Sequence, residues 1–443
     1  METVLKVTQA GVFYPSEKGE LSVMIDALTP DEVPPYKSKA IIVPHAGYVY
    51  SGDLIARGYS VLDSEAETVF VIAPSHYVRL YGCVIPSADA IETPLGKIFL
   101  NKKIIDELHQ NFGLEYSSEA FSREHAVETQ LPFIQKFLPN ASVVPIIYGC
   151  ENYENISKII ARYDNGANAF VISTDLSHFY PARENIRTDA FTASLIESNE
   201  TANFEADNAC GAVGICALMN YAKEKGMSLI RLGLSNSAKV TGDTSSVVGY
   251  GSWFMFDGEK NEFIKKYYSK SVIELCRKAI SAGLHKSSFI PHNYPCVLEE
   301  SGACFVTLTA GGRLRGCIGS VIAHRPLIVD LIKNAYSAAF SDPRFNPLSQ
   351  DEFYEVDVEV SLLSYPEKLQ FNSEEELMAQ IVPRRDGIII RDGNHQGVFL
   401  PCVWEQLPDK TEFMQALKQK AGLDKSYFSE TFTVFRFSAV ELV

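Results

Sequence analysis

The chain has 443 residues and a formal net charge of -15, with 46% hydrophobic and 21% charged residues. This length predicts two or three domains with a core each, and the composition excludes a wholly disordered chain. The acidic balance argues against nucleic acid or a membrane surface as the main partner. No apolar run approaches the ~18–20 residues of a membrane span, and the first residues lack the apolar core of a signal peptide. The nine cysteines contain no CxxC pair, which indicates reduced thiols in a cytoplasmic protein.

Short apolar runs alternate with helical patterns in the first half of the chain. Nearly continuous apolar runs predict strands covered on both faces, as in a parallel sheet. They are Lys39–Val43, Thr68–Ala73, Val143–Ile147 and Ala169–Ser173. The clearest helix is predicted over Glu124–Leu138, and a last strand over Ser246–Phe256. Residues 1–258 are therefore predicted to form an α/β domain with a mainly parallel sheet.

The second half has a different pattern, and a polar stretch, Asp257–Asn261, separates it from the first. Strict alternation over Glu355–Leu363 predicts a half-buried antiparallel strand. Residues 262–443 are therefore predicted to form a separate α+β domain with antiparallel strands. Its other predicted elements are helices at Phe263–Leu284, Pro326–Ala339 and Thr411–Ala421, and hairpins pairing Ala303–Ala310 with Arg313–Gly319 and Gly387–Arg391 with Gln396–Leu400.

Three histidines share a position relative to the predicted strands. His45, His76 and His178 each follow the end of a buried strand. In an open parallel sheet, ligands gather beyond the carboxyl ends of the strands, so these imidazoles are expected to converge. Each alone is well explained as a loop histidine bonded to backbone, but the set of three favours a site. Imidazole is a common metal ligand and a natural acid or base, and two histidines with a carboxylate leave open positions on Fe(II).

Further polar residues lie near these histidines in the predicted fold. Glu124 and His125 begin the predicted helix, where they are candidates for orienting substrate or a ligand, although a carboxylate there also suits the helix dipole. Glu128 shares a helix face with Glu124. Asp175, three residues before His178, is a candidate to orient that imidazole or to bind metal, or simply to cap the next turn.

Several motifs in the first half resemble the Memo family. They run in the family's order: Gly11–Pro15, Pro44–Tyr48 with Ser51–Gly52, Pro74–His76, Glu124–Phe133 and Ser173–His178. That family is similar in fold to the LigB-type class III extradiol dioxygenases, which use non-haem Fe(II). The resemblance implies a metal site with His45 and His76 as ligands, and His178 where the dioxygenases place an acid–base histidine. Asp175 and His125 would then assist His178 in catalysis.

The chain departs from that family in one segment. Animal Memo proteins have a metal-binding cysteine before the last strand, whereas Ser235–Ser246 contains no cysteine and one carboxylate, Asp243. Asp243, His178 or Asp175 is left to complete the site, around a divalent metal for which Fe(II) is favoured over Cu or Zn. Cys210 matches a Cys-Gly of the family, but a small buried residue before a turn also explains it.

The second half resembles the AMMECR-one family over its whole length. The matching motifs are Leu314–Gly319, Ala339–Phe345, the strand Val356–Leu362, Gly397–Trp404 and Lys420–Leu423. Arg315 and Cys317 are two residues apart on a predicted strand and face the same way. A guanidinium beside a thiol can lower its pKa and make it a nucleophile or redox centre, but the favoured interpretation is a buried thiol in a glycine-bounded strand.

The two resemblances together imply a function and a partner. In bacteria and archaea these families accompany a radical S-adenosylmethionine protein as a three-part system, so the chain resembles a fusion of two parts. One hypothesis is an enzyme that performs oxidoreductive or hydrolytic chemistry on a small substrate. The alternative is a non-catalytic module that binds metal or peptide and docks the radical partner. Nucleic acid and membranes are not expected as partners.

Overall fold

The computed structural model describes residues 2–443, which divide into two compact units, one ending at Lys260 and the other spanning Asn261–Val443. Within residues 2–443, no helix has the length and apolar character that crossing a membrane requires. The division lies inside the polar stretch between the two halves of the sequence. Each unit has its own sheets and its own buried residues.

The first unit alternates strands and helices along the chain. Its strands are β1 (Val4–Lys6), β2 (Ala40–Val43), β3 (Thr68–Pro74), β4 (Cys83–Ile85), β5 (Ala90–Thr93), β6 (Gly96–Phe99), β7 (Glu115–Tyr116), β8 (Ser142–Tyr148), β9 (Asn168–Ser173), β10 (His178–Tyr180), β11 (Ser228–Asn236) and β12 (Val247–Phe256). Its helices are α1 (Lys18–Leu28), α2 (Tyr48–Val61), α3 (Lys102–Phe112), α4 (Ser118–Phe121), α5 (His125–Glu128), α6 (Leu131–Phe137), α7 (Tyr153–Tyr163), α8 (Ala182–Glu197), α9 (Ala212–Lys225) and α10 (Ala238–Thr241).

A nine-stranded sheet forms the centre of the first unit, in the order β10-β12-β2-β9-β3-β8-β4-β7, with β11 paired to β12. The strands β2, β9, β3 and β8 are parallel, whereas β12 runs antiparallel to β2, and β4 runs antiparallel to β8. The strands β2, β3 and β9 are buried throughout, since α2 covers β2 while α9 covers β3 and β9. The predicted α/β fold with a mainly parallel sheet is confirmed.

The second unit is built from antiparallel strands. Its strands are β13 (Ala303–Ala310), β14 (Arg313–Gly319), β15 (Val356–Leu363), β16 (Glu367–Lys368), β17 (Gly387–Asp392), β18 (His395–Phe399), β19 (Thr433–Phe437) and β20 (Ala439–Leu442). Its helices are α11 (Lys260–Leu284), α12 (Leu327–Phe340), α13 (Gln350–Glu355), α14 (Glu374–Gln380) and α15 (Lys410–Lys420). Two four-stranded sheets result, β14-β13-β15-β20 and β16-β19-β17-β18, so the antiparallel α+β prediction is also confirmed.

The helix predicted over Glu124–Leu138 is interrupted. The structure has two short helices instead, α5 and α6. Pro132 explains the break, because it has no backbone N–H to donate to the carbonyl of Glu128, four residues earlier. The consequence for the site is that His125 stands at the start of a single helical turn.

Candidate metal centre

The carboxyl ends of three adjacent parallel strands bring the site together. Val43 of β2 is in register with Ser173 of β9, and β9 lies next to β3. His45 and Asp175 each follow two residues after these register partners, and the His45 backbone N–H donates to Asp175 Oδ1 at 2.9 Å. His76 follows the end of β3 in the same way. The strand-end rule therefore places His45, Asp175 and His76 at one edge of the sheet.

Glu124 joins the start of α5 to the loop after β3. Its carboxylate caps α5 by accepting from the Ala126 backbone N–H at 3.0 Å. It also accepts from the His76 backbone N–H at 2.7 Å and lies 2.8 Å from His76 Nδ1. Glu124 is thus both the helix cap and the ligand-orienting residue that the sequence left as alternatives. By holding both segments, it places His125 beside His76.

Three imidazoles converge at this edge. Within residues 2–443, one group of at least three His, Cys, Asp or Glu side chains has ligand atoms within 4.8 Å of one another, and it consists of His45, His76 and His125. The ring centroids of His45 lie 5.0 Å from His76 and 5.1 Å from His125, and those of His76 and His125 are 4.5 Å apart. The side chains are 1%, 27% and 13% exposed in the order His45, His76, His125, so the group has one open side.

Two of the imidazoles, those of His45 and His125, are held in the neutral form that binds metal. Burial, followed by the neighbouring imidazoles, lowers the pKa of His45 well below its usual value. The same two effects lower the pKa of His125 to about 4, although the Glu124 carboxylate acts in the opposite direction. Burial favours a higher pKa for Glu124, but hydrogen bonds and the charge of His76 outweigh it and the net pKa is lowered. Glu124 is therefore an ionised acceptor at neutral pH, beside the neutral ring of His125.

Hydrogen bonds to the ring nitrogens indicate which atoms are free. An ionised Glu124 accepts only, so His76 Nδ1 is the donor of this pair and Nε2 is the ring nitrogen that Glu124 does not engage. His125 Nδ1 is buried and has no hydrogen-bond partner, although Glu124 Oε1 is 3.4 Å away, because the geometry does not suit a bond. Neutral rings, an unpartnered buried nitrogen and a carboxylate behind His76 together fit a metal ion with three nitrogen ligands.

Asp175 and Cys210 lie beside His45. Burial raises the pKa of Asp175 to about 7, against the effect of backbone N–H groups of His45 and Ala46. Its Oδ2 is 3.9 Å from His45 Nε2, and Cys210 Sγ is 3.3 Å from the same nitrogen. Gly211 allows this approach, because a Cβ there would stand 2.5 Å from Thr174 Cβ. Cys210 therefore lies beside the group of His45, His76 and His125, here called the metal group. It is not one of the three members of that group.

Two residues proposed as ligands lie outside the three-histidine group. Asp243 is exposed, and its Oδ1 accepts from the Ser245 backbone N–H and hydroxyl at 2.8 and 2.7 Å. The Asp243 carboxylate is therefore occupied by hydrogen bonds within its own loop. His178, on β10, is half-buried; burial, with the charge of His76, lowers its pKa despite a hydrogen bond to backbone at Leu176. His178 therefore lies outside the group, and His125 is its third member.

Two residues without a predicted role support His45. The Ser173 hydroxyl donates to the Ala126 carbonyl at 2.6 Å and lies 3.1 Å from His45 Nδ1. Gln130 Nε2 donates to Ser173 Oγ at 3.2 Å and to the Pro44 carbonyl at 2.8 Å. Ser173 is the last residue of β9 and the first residue of the Ser173–His178 motif, and these two features of the sequence point to it.

In the second unit, the candidates Arg315 and Cys317 are each bound to a different partner. A neighbouring ion pair joins Asp342 to Arg344. Arg315 binds Glu352 through Nε at 2.8 Å and through Nη2 at 3.1 Å. Cys317 Sγ accepts from the Thr307 hydroxyl at 3.3 Å. Asp342 accepts from Arg344 and from the Cys317 backbone N–H. The guanidinium of Arg315 is therefore engaged by the Glu352 carboxylate, and the Cys317 thiol has a different partner, Thr307.

Comparison with known proteins places both halves of the chain. Residues 6–254 match the family described as Memo-like protein, and residues 273–442 match the family described as AMMECR1. A MEMO1 family protein of Thermoplasma acidophilum is 32% identical over 261 residues, which cover 56% of this chain and 97% of the relative. One from Aquifex aeolicus is 33% identical over 257 residues, covering 54% and 95%. The crystal structure of an uncharacterized protein from Pyrococcus horikoshii shares 34% identity and covers 39% of this chain and 89% of its own, with a TM-score of 0.37.

Proposed function

Because the chain belongs to the Memo-like family and carries an AMMECR1 segment behind it, we propose that it is a metal-binding oxidoreductase with a non-haem-iron, dioxygenase-like site. The observation that carries this proposal is the convergence of three imidazoles, two of which, His45 and His125, are held neutral, from three separate segments. Neutral imidazole is the form that donates a lone pair to a metal ion. A purely structural histidine would not need two others beside it.

His45, His76 and His125 would hold the metal, and Fe(II) is the ion that we propose, with Zn or Cu as the other candidates. Bound Fe(II) would supply open coordination positions and redox chemistry toward a small substrate. Three protein nitrogens leave such positions, as the three protein ligands of Fe(II) oxygenase sites do. Glu124 would keep His76 oriented, as carboxylates commonly do behind a metal-binding histidine.

His178 would act as the base. Its lowered pKa keeps it neutral at neutral pH, and its hydrogen bond to Leu176 fixes one ring nitrogen as a donor. The other nitrogen is then free to take a proton from a substrate hydroxyl or amine. Phe13 and Tyr77 cover His125, with ring centroids 4.8 and 5.8 Å from the imidazole, and they limit the access of water on that side.

We further propose a radical S-adenosylmethionine protein as the partner. The support is the joining of two families in one chain, which keeps the two parts at a fixed ratio. Co-purification with that protein, encoded nearby, would test the proposal. A stable complex without turnover would favour the alternative function, a non-catalytic module that docks the partner. Failure to form any complex would count against the partner.

Anaerobic reconstitution with Fe(II), followed by an oxygen-uptake screen over catechols and small polar substrates, tests the enzyme. The wild-type chain is expected to take up oxygen with at least one substrate. The variant His178→Ala should keep its iron and lose about 10²–10⁴-fold in kcat, the usual contribution of a general base. The exposed His109→Ala variant should behave like the wild type. An iron-loaded protein inert toward every substrate would contradict the catalytic role.

A further inference from the structure

Cys210 is the thiol nearest to the metal group. It lies two residues before α9 and is half-buried. Its Sγ is 3.3 Å from His45 Nε2, 3.3 Å from the Asp175 backbone nitrogen and 3.6 Å from the Asp175 carbonyl oxygen. The sulfur is therefore held between a metal-group imidazole and the loop that follows β9.

The protons around His45 can be assigned from these contacts. The Ser173 hydroxyl gives its proton to the Ala126 carbonyl, so Ser173 Oγ is an acceptor toward His45. His45 Nδ1 then carries the ring proton and donates it to Ser173 at 3.1 Å. The free lone pair of His45 lies on Nε2, the atom that faces Cys210 Sγ. In the absence of metal, the thiol S–H satisfies this nitrogen.

The distance between these two atoms suits two ligands of one metal ion. A metal–sulfur bond of ~2.3 Å and a metal–nitrogen bond of ~2.0–2.1 Å, at angles of about 90–110°, place sulfur and nitrogen ~3.1–3.6 Å apart. The observed separation of Cys210 Sγ and His45 Nε2 is 3.3 Å. The sulfur lies on the His45 side of the three-histidine group.

We propose that Cys210 is the fourth ligand of the metal held by His45, His76 and His125; this inference rests on the proposed metal function. On binding, the thiol proton leaves to solvent and the sulfur forms a bond to the metal. No electron transfer is involved. A donor set of three imidazoles and one thiolate selects borderline and soft ions such as Fe(II), Zn and Cu over Mg²⁺ and Ca²⁺.

The surroundings of the sulfur are suited to a thiolate. The Asp175 backbone N–H points at it, and α9, a helix of 14 residues, begins two residues later with its positive end toward Cys210. Binding of a metal ion is expected to deprotonate the thiol, since a coordinating thiol is deprotonated outright.

Cobalt(II) titration of the full chain tests this ligand. Sulfur bound to Co²⁺ gives a strong near-ultraviolet charge-transfer band, which nitrogen ligands do not give. We expect the band in the wild type and in Cys216→Ser, a buried thiol of the same helix α9, and its loss in Cys210→Ser. Cys210→Ser should also bind Co²⁺ at least ~10-fold more weakly. Identical bands in all three proteins, or tighter binding by Cys210→Ser, would overturn the assignment.

A second measurement uses the wild-type chain, so it tests the assignment even if Cys210→Ser fails to fold. In the wild type, Co²⁺ should slow alkylation of Cys210 while the exposed Cys150 reacts at an unchanged rate. Equal rates for Cys210 with and without metal, while Co²⁺ is bound, would overturn the fourth ligand alone. Absence of any Co²⁺ binding by the wild-type chain would instead overturn the proposed metal function. The two failures are therefore distinguishable.

Discussion

Burial controls the charges of the residues around the three imidazoles. His45 and His125 are neutral at neutral pH because burial and neighbouring imidazoles disfavour their charged forms. Glu124 stays ionised because hydrogen bonds outweigh its own burial. The site thus combines neutral donors with one fixed negative charge behind them. That combination attracts a cation without requiring it to displace protons from the rings.

Replacing Glu124 by Gln tests the role of that negative charge. The amide preserves the size of the side chain but removes the charge and one acceptor of His76. We expect metal affinity to fall about 10–100-fold, as is usual when the partner of a metal-binding histidine is lost. Equilibrium titration with Fe(II) or Co²⁺ measures it, with the exposed Glu119→Gln as control. Equal affinities for both variants would contradict the orienting role.

Asp189 makes the stability of the first unit depend on pH. It is 4% exposed, and burial raises its pKa from 3.8 to about 6, although Ser177 and Asn185 donate to it. A raised pKa means that the folded state favours the protonated acid. Its stabilisation is therefore complete below the unfolded pKa and is lost as pH rises through about 6.

The variant Asp189→Asn isolates this effect, because its side chain cannot titrate. We expect the unfolding free energy of the wild type, relative to the variant, to fall by ~2–3 kcal/mol between about pH 4 and pH 7. Denaturant unfolding at several pH values measures it. A difference that stays constant with pH would show that Asp189 does not titrate in this range.

The sequence predicts some site residues better than others. His45 and His76 follow buried strands, so topology alone places them together. His125 was predicted to orient rather than to bind metal, because helical periodicity does not reveal that Glu124 ties α5 to the loop after β3. Asp243 was predicted as a metal ligand only because it is the sole carboxylate in Ser235–Ser246. A contact such as Cys210 with His45 joins residues 165 positions apart and has no local signal.

At the scale of elements, hydrogen bonds hold the N-terminal segment, residues 8–14, against α5. Glu128 accepts from the backbone N–H groups of Thr8 and Gln9 at 2.8 and 2.7 Å and from the Tyr14 hydroxyl at 2.6 Å. The same segment carries Phe13, whose ring covers His125. The buried Glu128 carboxylate therefore holds in place the segment whose Phe13 ring covers His125.

Glu128→Gln should weaken the attachment of this segment to α5. The amide has one acceptor oxygen, so a backbone N–H of the segment is left facing an NH₂ group, at a cost of about 1–3 kcal/mol. We expect faster hydrogen exchange at Thr8 and Gln9, and lower stability of the first unit. Tyr14→Phe removes one bond of the three and should change exchange at Thr8 and Gln9 less. Unchanged exchange in Glu128→Gln would contradict the anchoring role.

Strands were predicted closely because their signal is local. The continuous apolar run at Thr68–Ala73 becomes β3 (Thr68–Pro74), and the alternating run at Glu355–Leu363 becomes β15 (Val356–Leu363). The broken helix at Pro132 was not predicted because apolar periodicity continues across the break. The missing hydrogen-bond donor, rather than the pattern, decides the structure there.

At the scale of the whole molecule, every residue of the metal group belongs to the first unit. That unit has its own sheet and buried core, so metal binding is expected to be independent of the second. A fragment of residues 1–260 should bind Fe(II) or Co²⁺ with an affinity within about threefold of the full chain, the usual context dependence of such energies. Loss of metal binding in a folded fragment would show that the second unit contributes to the site.

The central claim is that His45, His76 and His125 jointly hold a metal ion. Elemental analysis of the purified full chain, beside His45→Ala, His76→Ala, His125→Ala and the exposed control His109→Ala, tests it most directly. The account predicts stoichiometric metal in the wild type and in His109→Ala, and strong loss in each of the other three variants. Equal metal content in all five proteins, or metal lost only in the control, would contradict it.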